Sequence, residues 1–550
     1  MKINLLTIIL TFTLVVIGTG LTVSSTHAKP LDYCDGFQNP PVPSLAKEPF
    51  VSHPISYSRY FIPGVAADWD GDGDLDLQYA ENLGGFNFRY ISAIDDLVTS
   101  ESGAILSRNA RQRQEVYRTV QEQILSGTYY NFHGVAAFNF GDNLPSFILA
   151  PYYNQGIPIM MLRNMGSWRF ESVFGDYLRN LLGWTPNSVW FSETIGVGDL
   201  TGDGLNDIYV PFGHAAEPYQ SAFLRNTGNG FVEEALLRGI GIPNLPVTER
   251  PEGTQIVDID DDGDLDLFVS HFLFINDGTG NFIDARESYS LPYLTADEGI
   301  ALVDYDNDGL LDLYVRSGYT DKQLFRNTGA GFVNTSVTSG LACLTQNLGY
   351  FWGDSWADMN NDGYMDLVYI SDYPSNPRYN IYLNQKNGTF LLGYTGNRFL
   401  HLSGTADFDM DGDLDVFALG EVDENQLPKS GDTTTLAIVP VDNQGRQNEH
   451  GATVRVKNSC NAQIQTRVIG SNHVYLPQGQ YEAHFAVPTN CTYEIDVIFV
   501  KRTEEGKQVM TIPYNPTFEK ALRIIVTRNS YTKRLYSGYQ YLFPFVSKNN

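Results

Sequence analysis

One acidic phrase, Asp-x-(Asp/Asn/Thr)-x-Asp-Gly-x-x-Asp, recurs six times along this 550-residue chain, and each copy runs into an apolar, alternating segment. The copies begin at Asp68, Asp199, Asp258, Asp304, Asp358 and Asp407, and a decayed seventh begins at Phe138. A recurring turn-plus-strand unit cannot close a core alone, so the repetition itself dictates an array of small sheets.

The copy Asp258-Ile259-Asp260-Asp261-Asp262-Gly263-Asp264-Leu265-Asp266 places carboxylates at positions 1, 3, 5 and 9. Glycine at position 6 permits the positive φ of a sharp turn, which brings alternate side chains to one point. Carboxylates held that closely repel unless a cation lies between them. Oxygen-only ligands and a flexible loop suit calcium better than magnesium, and the phrase lacks the His or Cys that transition metals favour. The expected ligand sets are Asp68, Asp70, Asp72 and Asp76; Asp258, Asp260, Asp262 and Asp266; Asp304, Asp306, Asp308 and Asp312; and Asp407, Asp409, Asp411 and Asp415. Two sets have one fewer charge and are expected to bind more weakly: Asp199, Thr201, Asp203 and Asp207, and Asp358, Asn360, Asp362 and Asp366. The decayed copy keeps only Asp142 among these carboxylates, with Ser146 at position 9, and is expected to be metal-free. An EF-hand is disfavoured: Tyr79, Val269 and Val315 stand where its position-12 Glu belongs, and the following residues read as strands.

Successive copies lie 46 to 70 residues apart, which is room for about four short strands per unit. A second phrase accompanies the first: Asn226-Thr227-Gly228-Asn229-Gly230-Phe231, Asn276-Asp277-Gly278-Thr279-Gly280-Asn281-Phe282 and Asn327-Thr328-Gly329-Ala330-Gly331-Phe332. It reads as a hairpin turn. Together the two phrases resemble FG-GAP (VCBS) repeats, which build seven-bladed propellers such as the head of integrin α chains. The resemblance spans roughly residues 50–420. It implies an all-β, seven-bladed β-propeller over 29–425, with about six calcium sites at the hairpins joining the first two strands of its blades. It leaves function open.

Beyond residue 430, strand-like alternation at 436–456 and 493–500 suggests a small β-sandwich-like module over 430–550. Asn448-Glu449-His450-Gly451 and His484-Phe485-Ala486-Val487 are similar to landmarks of the ASPIC/UnbV domain, which follows FG-GAP propellers in cartilage acidic protein-like and bacterial secreted proteins. The family pattern usually has Gly where Ala486 stands.

Residues 1–28 read as a secretory signal: Lys2, an apolar run from Leu5, and a small-residue end at Ala28, with an uncleaved anchor as the alternative. The net charge is −28 with 64 acidic residues, about a third of them in the loops, so nucleic acid and anionic membranes are poor partners. Four cysteines in a secreted chain suggest disulfides. Cys460–Cys491 is the expected pair, which leaves Cys34–Cys343 or two free thiols. A Gly- and Pro-free basic stretch within an insertion at about 104–126 suggests a helix on one face.

With metal loops at one end of each blade, the segments after the motif strands emerge at the other. They carry His214, Tyr219, His271, Tyr319 and Tyr373, side chains suited to sugar or protein recognition. The function expected is a secreted or periplasmic, calcium-stabilised, non-enzymatic recognition or adhesion protein for an extracellular protein or glycan. The alternative is a polysaccharide lyase or glycosidase, for which Glu249, Glu252 and Glu298 are the nearest acidic candidates.

Overall fold

The structure is a computed structural model. It describes residues 50–54, 64–67, 69, 76–82, 86–91, 97–99, 105–107, 132–142, 144–151, 154–155, 159–166, 170–173, 175–183, 189–190, 192, 194–212, 221–242, 253–294, 299–316, 322–344, 353–371, 378–396, 403–408, 410–418, 421–429, 431–471, 480–503, 505–518, 522–535 and 545–546. Residues 108–126 of the insertion, where the helix was expected, lie outside the described residues, as do residues 1–28 and Cys34.

Each motif strand is short and buried along its whole length. Asp207–Pro211, Asp266–Val269 and Asp312–Val315 expose none of their residues. A strand buried on both faces needs a layer on either side, and neighbouring sheets supply it. Between residues 50 and 425 the described strands form six four-stranded antiparallel sheets, one three-stranded sheet and two two-stranded pairs, Asn154–Gln155 with Val189–Trp190 and Leu97–Thr99 with Ile105–Ser107, so the insertion expected to be helical begins with a short strand. In the unit after Asp199 the order is Gly196–Gly198, Asp207–Pro211, Ser221–Asn226 and Phe231–Glu233, a simple meander. The units after Asp258, Asp304 and Asp358 repeat it.

The sheets are all-β propeller blades. Their first strands follow one another round a ring: Gly64–Ala67 meets Phe132–Phe138, which meets Gly196–Gly198, then Thr254–Val257 and Ile300–Val303. Farther on, Ser355–Ala357 meets Ser403–Ala406, which returns to Gly64–Ala67. The last sheet takes its outer strand from the other end of the ring, because Phe50–Pro54 pairs antiparallel with Glu421–Asn425. Apolar clusters fill the spaces between successive sheets. One joins Val303 and Tyr314 to Trp356, Leu367 and Phe390. Another joins Tyr209 and Phe223 to Ile256, Leu267 and Phe274. Each fully buried Leu or Phe of this kind contributes about 1.5–3 kcal/mol.

In four blades the asparagine that ends the third strand ties blade to blade, whereas among the described residues Asn226 and Asn327 bond only within their own sheets, to Asn206 O and Leu311 O. Asn276 Nδ2 donates to Leu265 O of its own sheet (2.9 Å) and to Leu200 O of the preceding one (3.0 Å). Asn164 does the same with Pro145 and Trp69, Asn384 with Met365 and Tyr305, and Asn425 with Leu414 and Met359. The sequence marks these asparagines as turn residues but not as this inter-blade link.

Residues 433–546 form two further sheets. One has the order Ala483–Pro488, Thr433–Pro440, Leu522–Val526, Tyr531–Leu535 and Phe545–Val546, and its second and third strands are parallel. The other has the order Ile464–Val468, Thr453–Asn458, Tyr493–Arg502 and Gly506–Tyr514. A shared core of Leu436, Ile438, Val454, Phe485, Ile495 and Phe499 makes them a sandwich. The alternation read across 436–456 is broken here. Asp442 Oδ1 accepts from the backbone N–H groups of Gln444 and Arg446, and Gly445 and Gly451 both take φ of 83°, so a loop separates two strands. Cys460 and Cys491 are disulfide-bonded, and Cys343 is also in a disulfide.

The replacement Asn276→Ala removes two donors and strands two buried carbonyls. It is expected to destabilise the protein by roughly 2–4 kcal/mol. Chemical denaturation compared with the exposed control Asn281→Ala checks this, and equal midpoints would refute the inter-blade role.

Candidate metal centres

The loops share one internal bonding scheme. In the Asp258 loop the Gly263 N–H donates to Asp258 Oδ2 (2.9 Å), Asp262 N–H to Asp260 Oδ1 (3.3 Å) and Asp264 N–H to Asp262 Oδ1 (2.9 Å). Asp266 at position 9 accepts twice, from Ile259 N–H (3.0 Å) and from Asn276 N–H (2.8 Å). The same double acceptance recurs at Asp207, Asp312, Asp366 and Asp415. Position 6 has positive φ in the five loops where it is described, from 88° at Gly204 to 96° at Gly263. Position 4 does too, at Gly202, Asp261, Asn307, Asn361 and Met410. The signal for that second left-handed residue was the preference for Gly, Asn and Asp there, the residues that tolerate αL best.

Two sets of carboxylates converge: Asp258, Asp260 and Asp262, and Asp304, Asp306 and Asp312, each with ligand atoms within 4.8 Å of one another. Asp258 Oδ1, Asp304 Oδ1 and Asp306 Oδ1 are buried with no hydrogen-bond partner. Orphaned, clustered carboxylate oxygens with no donor to answer them are what a hard cation requires, so these residues fit one. Thr201 offers its hydroxyl to Asp207 at 3.3 Å, and Asn360 Oδ1 accepts from Asp362 N–H at 3.1 Å. In the loop begun by Asp407, Asp411 and Asp415 are described. Asp68, Asp70, Asp72 and Asp409, and the side chain of Asp76, lie outside the described residues.

Electrostatics agree with the geometry. Burial, reinforced by neighbouring carboxylates, pushes Asp199 and Asp358 up to about 7 and Asp304 to about 8. Burial also raises Asp258 to about 7. It holds Asp207, Asp266, Asp312 and Asp366 well above the ordinary carboxylate range. Side-chain cations share the load. Arg326 from the third strand reaches Asp306 and Asp308. In the decayed copy Arg163 grips Asp142 through two bonds (2.7 and 2.8 Å), and Ser146 Oγ takes over the acceptance of Asn164 N–H. A guanidinium and a hydroxyl thus keep the turn where the carboxylates are gone.

The C-terminal sandwich sits on the metal-loop end of the propeller. Thr466 N–H donates to Asp304 Oδ2 (2.9 Å), Lys501 N–H to Gly263 O (2.8 Å) and Thr503 N–H to Gly202 O (2.8 Å). Lys507 Nζ contacts Asp261, and His484 Nε2 donates to Gly412 O (2.9 Å). Asn448 and His450 both meet Asn206, and Gly451 lies so close to Leu265 that a Cβ there would fall 2.6 Å from it. The two landmark segments at 448–451 and 484–487 are therefore docking elements, a role the sequence did not disclose.

Of the residues expected to recognise a ligand, His214, Tyr219, Tyr319 and Tyr373 lie outside the described residues, as do Glu249, Glu252 and Glu298. His271 is not an exposed tip. It is 2% exposed, packed between the rings of Phe272 and Tyr293, and burial lowers it to about 4.

A family profile described as "FG-GAP-like repeat" matches residues 258–315, 304–369 and 358–418. The chain is a β-propeller repeat protein. Among solved structures it is similar to BBS1N in complex with ARL6DN, at 11% identity over 69% of this chain and 97% of that one, TM-score 0.40. It is also similar to the V. cholerae biofilm matrix protein Bap1, at 10% identity over 76% and 73%, TM-score 0.30. A third is the six-bladed Aleuria aurantia fungal lectin, at 9% over 61% and 96%, TM-score 0.29. No curated protein matches. Among the described residues no helix is long and apolar enough to cross a membrane.

Two outcomes follow from the loops. Asp260→Ala is expected to abolish most of the calcium-induced rise in melting temperature of its site while leaving the melt in chelator nearly unchanged. Asp266→Ala is expected to lower both melts, because it also strands two backbone N–H groups, at a cost of about 2–4 kcal/mol. Parallel losses in the two variants would remove the distinction between ligand and scaffold. The second outcome concerns pH. In the cation-free protein the raised carboxyls make the folded state bind more protons than the unfolded chain between about pH 4 and about pH 8. Its stability is therefore greatest at the acid end of that window and is lost as pH rises through it. Calcium requires the ionised carboxylates, so its stabilising increment grows over the same window. Thermal melts across it, with calcium and with chelator, should diverge as pH rises, and superimposable profiles would contradict this account.

Proposed function

We propose that the chain is a secreted, calcium-binding, seven-bladed β-propeller with an ASPIC/UnbV-like module, acting without catalysis as a recognition or adhesion protein for an extracellular protein or carbohydrate. The observation that carries this reading is the division between the two ends of the propeller. The metal-loop end is covered by the sandwich, through contacts to the loops begun by Asp199, Asp258, Asp304 and Asp407. Recognition falls to the remote end; His214, Tyr219, Tyr319 and Tyr373 belong in sequence to the stretches between second and third strands. Calcium in the six loops rigidifies the blade turns that position those connections. The disulfide Cys460–Cys491 supports an oxidising compartment, where calcium is abundant enough for rigid aspartate loops.

The test is binding of the full chain to an array of glycans and matrix proteins, in calcium and in chelator, beside a Tyr219→Ala/Tyr319→Ala/Tyr373→Ala variant. A calcium-dependent partner whose binding falls by about tenfold or more in the variant, at unchanged melting temperature, is the expected result. Undiminished binding by the variant would move recognition elsewhere. Release of reducing ends from a polysaccharide by the wild-type protein would replace this reading with the enzymatic one.

A further inference from the structure

Where the sandwich meets the propeller, the two line a partly open cavity of about 30 Å³, measured at the centres of water-sized spheres. Its floor comes from the first strands and adjoining loops of three successive blades; Leu302, Trp356 and Leu414 make most of it apolar, and the metal-loop carboxylate Asp358 also lines it. Its roof comes from the sandwich, with Arg467, Gln480 and His484.

Five polar atoms of this lining are buried without a hydrogen-bond partner: Trp356 Nε1, Thr405 Oγ1, Arg467 Nη2, Gln480 Nε2 and His484 Nδ1. Their residues are all more than nine-tenths buried. Orphaned polar atoms are rare in native interiors, and four of these five can donate into one small space, which calls for a common acceptor; His484 Nδ1 is not answered by it. Three of the five can only donate: the indole N–H, the guanidinium N–H and the amide N–H₂. The threonine hydroxyl can donate as well. His484 Nε2 donates to Gly412 O, so Nδ1 is the single obligatory acceptor when the ring is neutral.

Arg467 sets the charge. It keeps its proton at any ordinary pH, and burial of an unanswered cation is costly. Its Nη1 donates to Thr466 O (2.9 Å), and the guanidinium lies 5.3 Å from the centre of the Phe485 ring. Among the described residues it makes no ion pair. The carboxylates whose field reaches it, Asp304 and Asp358, each head a metal loop, and Glu482 in the same lining is paired with Arg523 at 2.9 Å.

We propose that this interdomain cavity is a binding site for one small oxyanion, of the size of formate or acetate. Its charge would rest on Arg467, and its oxygens would accept from Trp356, Thr405 and Gln480. The volume sets the size class. One water needs about 10–15 Å³ on this measure, so a few heavy atoms fit and a sugar ring does not. The site is distinct from the remote recognition end, and its ligand would bridge propeller and sandwich.

The test is titration of the calcium-loaded full chain with sodium acetate in a chloride-free buffer, with sodium gluconate as the oversized anion. Saturation-transfer NMR on the acetate methyl and the melting temperature give the readouts. The expected result is saturable binding of acetate but not gluconate, lost in Arg467→Gln. In Trp356→Phe, which keeps the ring contacts and removes one donor, binding should weaken by about tenfold. If Arg467→Gln fails to fold, Trp356→Phe and Thr405→Val decide the matter, and acetate affinity unchanged in both would overturn the proposal. So would the absence of saturable binding to the wild-type protein, which would leave the cavity to water alone.

Discussion

Five blades of the propeller depend on one carboxylate each, the aspartate at position 9 of the loop: Asp207, Asp266, Asp312, Asp366 and Asp415. The two oxygens of each accept from two different turns. One N–H comes from the metal loop between the first and second strands, and the other from the asparagine that ends the third strand. At Asn276, Asn384 and Asn425 that asparagine in turn holds the carbonyl of the residue just before the aspartate and a carbonyl of the preceding blade. Loop, hairpin and neighbouring sheet are thus fixed through two adjacent side chains. The charge of the aspartate is buried to achieve this, which is tolerable because so many donors, and the cation the loop can hold, are aimed at it.

This arrangement explains what the sequence made legible. The aspartate spacing revealed the loop and its converging carboxylates, because acidic residues at alternate positions before a glycine are brought to one point by the turn. The strands after it were legible because their residues are apolar on both faces. Legibility failed where a residue's role was set by something distant in the chain. Asn276 looks like an ordinary turn former, and only the approach of Leu200 makes it a link. His271 looks like a surface side chain at a strand end, but the rings of Phe272 and Tyr293 enclose it. The interval 441–452 looked like continuing strand because its apolar residues alternate, yet it folds back to place Asn448 and His450 against Asn206.

The sandwich answers a need created by the loops. Glycine-rich turns expose backbone carbonyls, and the strands and loops of the second domain supply N–H groups to Gly202, Gly263 and Asn307. Lysines and arginines at the same surface face the acidic rim, with Lys501 on Asp264 and Arg455 on Asp261. Exposed pairs of this kind add little stability individually, so their use is to set orientation and discourage alternative dockings.

The pairing of Phe50–Pro54 with Glu421–Asn425 has a consequence for the life of the molecule. The circle is latched by two segments at opposite ends of the propeller sequence, so a nascent chain can stack its early blades yet cannot complete the ring until the last sheet has left the ribosome. Such a late, long-range latch makes closure slow and leaves raw sheet edges open to the wrong neighbour in the interim. Once shut, the same latch works in the protein's favour. A protease that severs a single connection between blades opens no free end to peel away, because each side of the cut remains held round the rest of the circle.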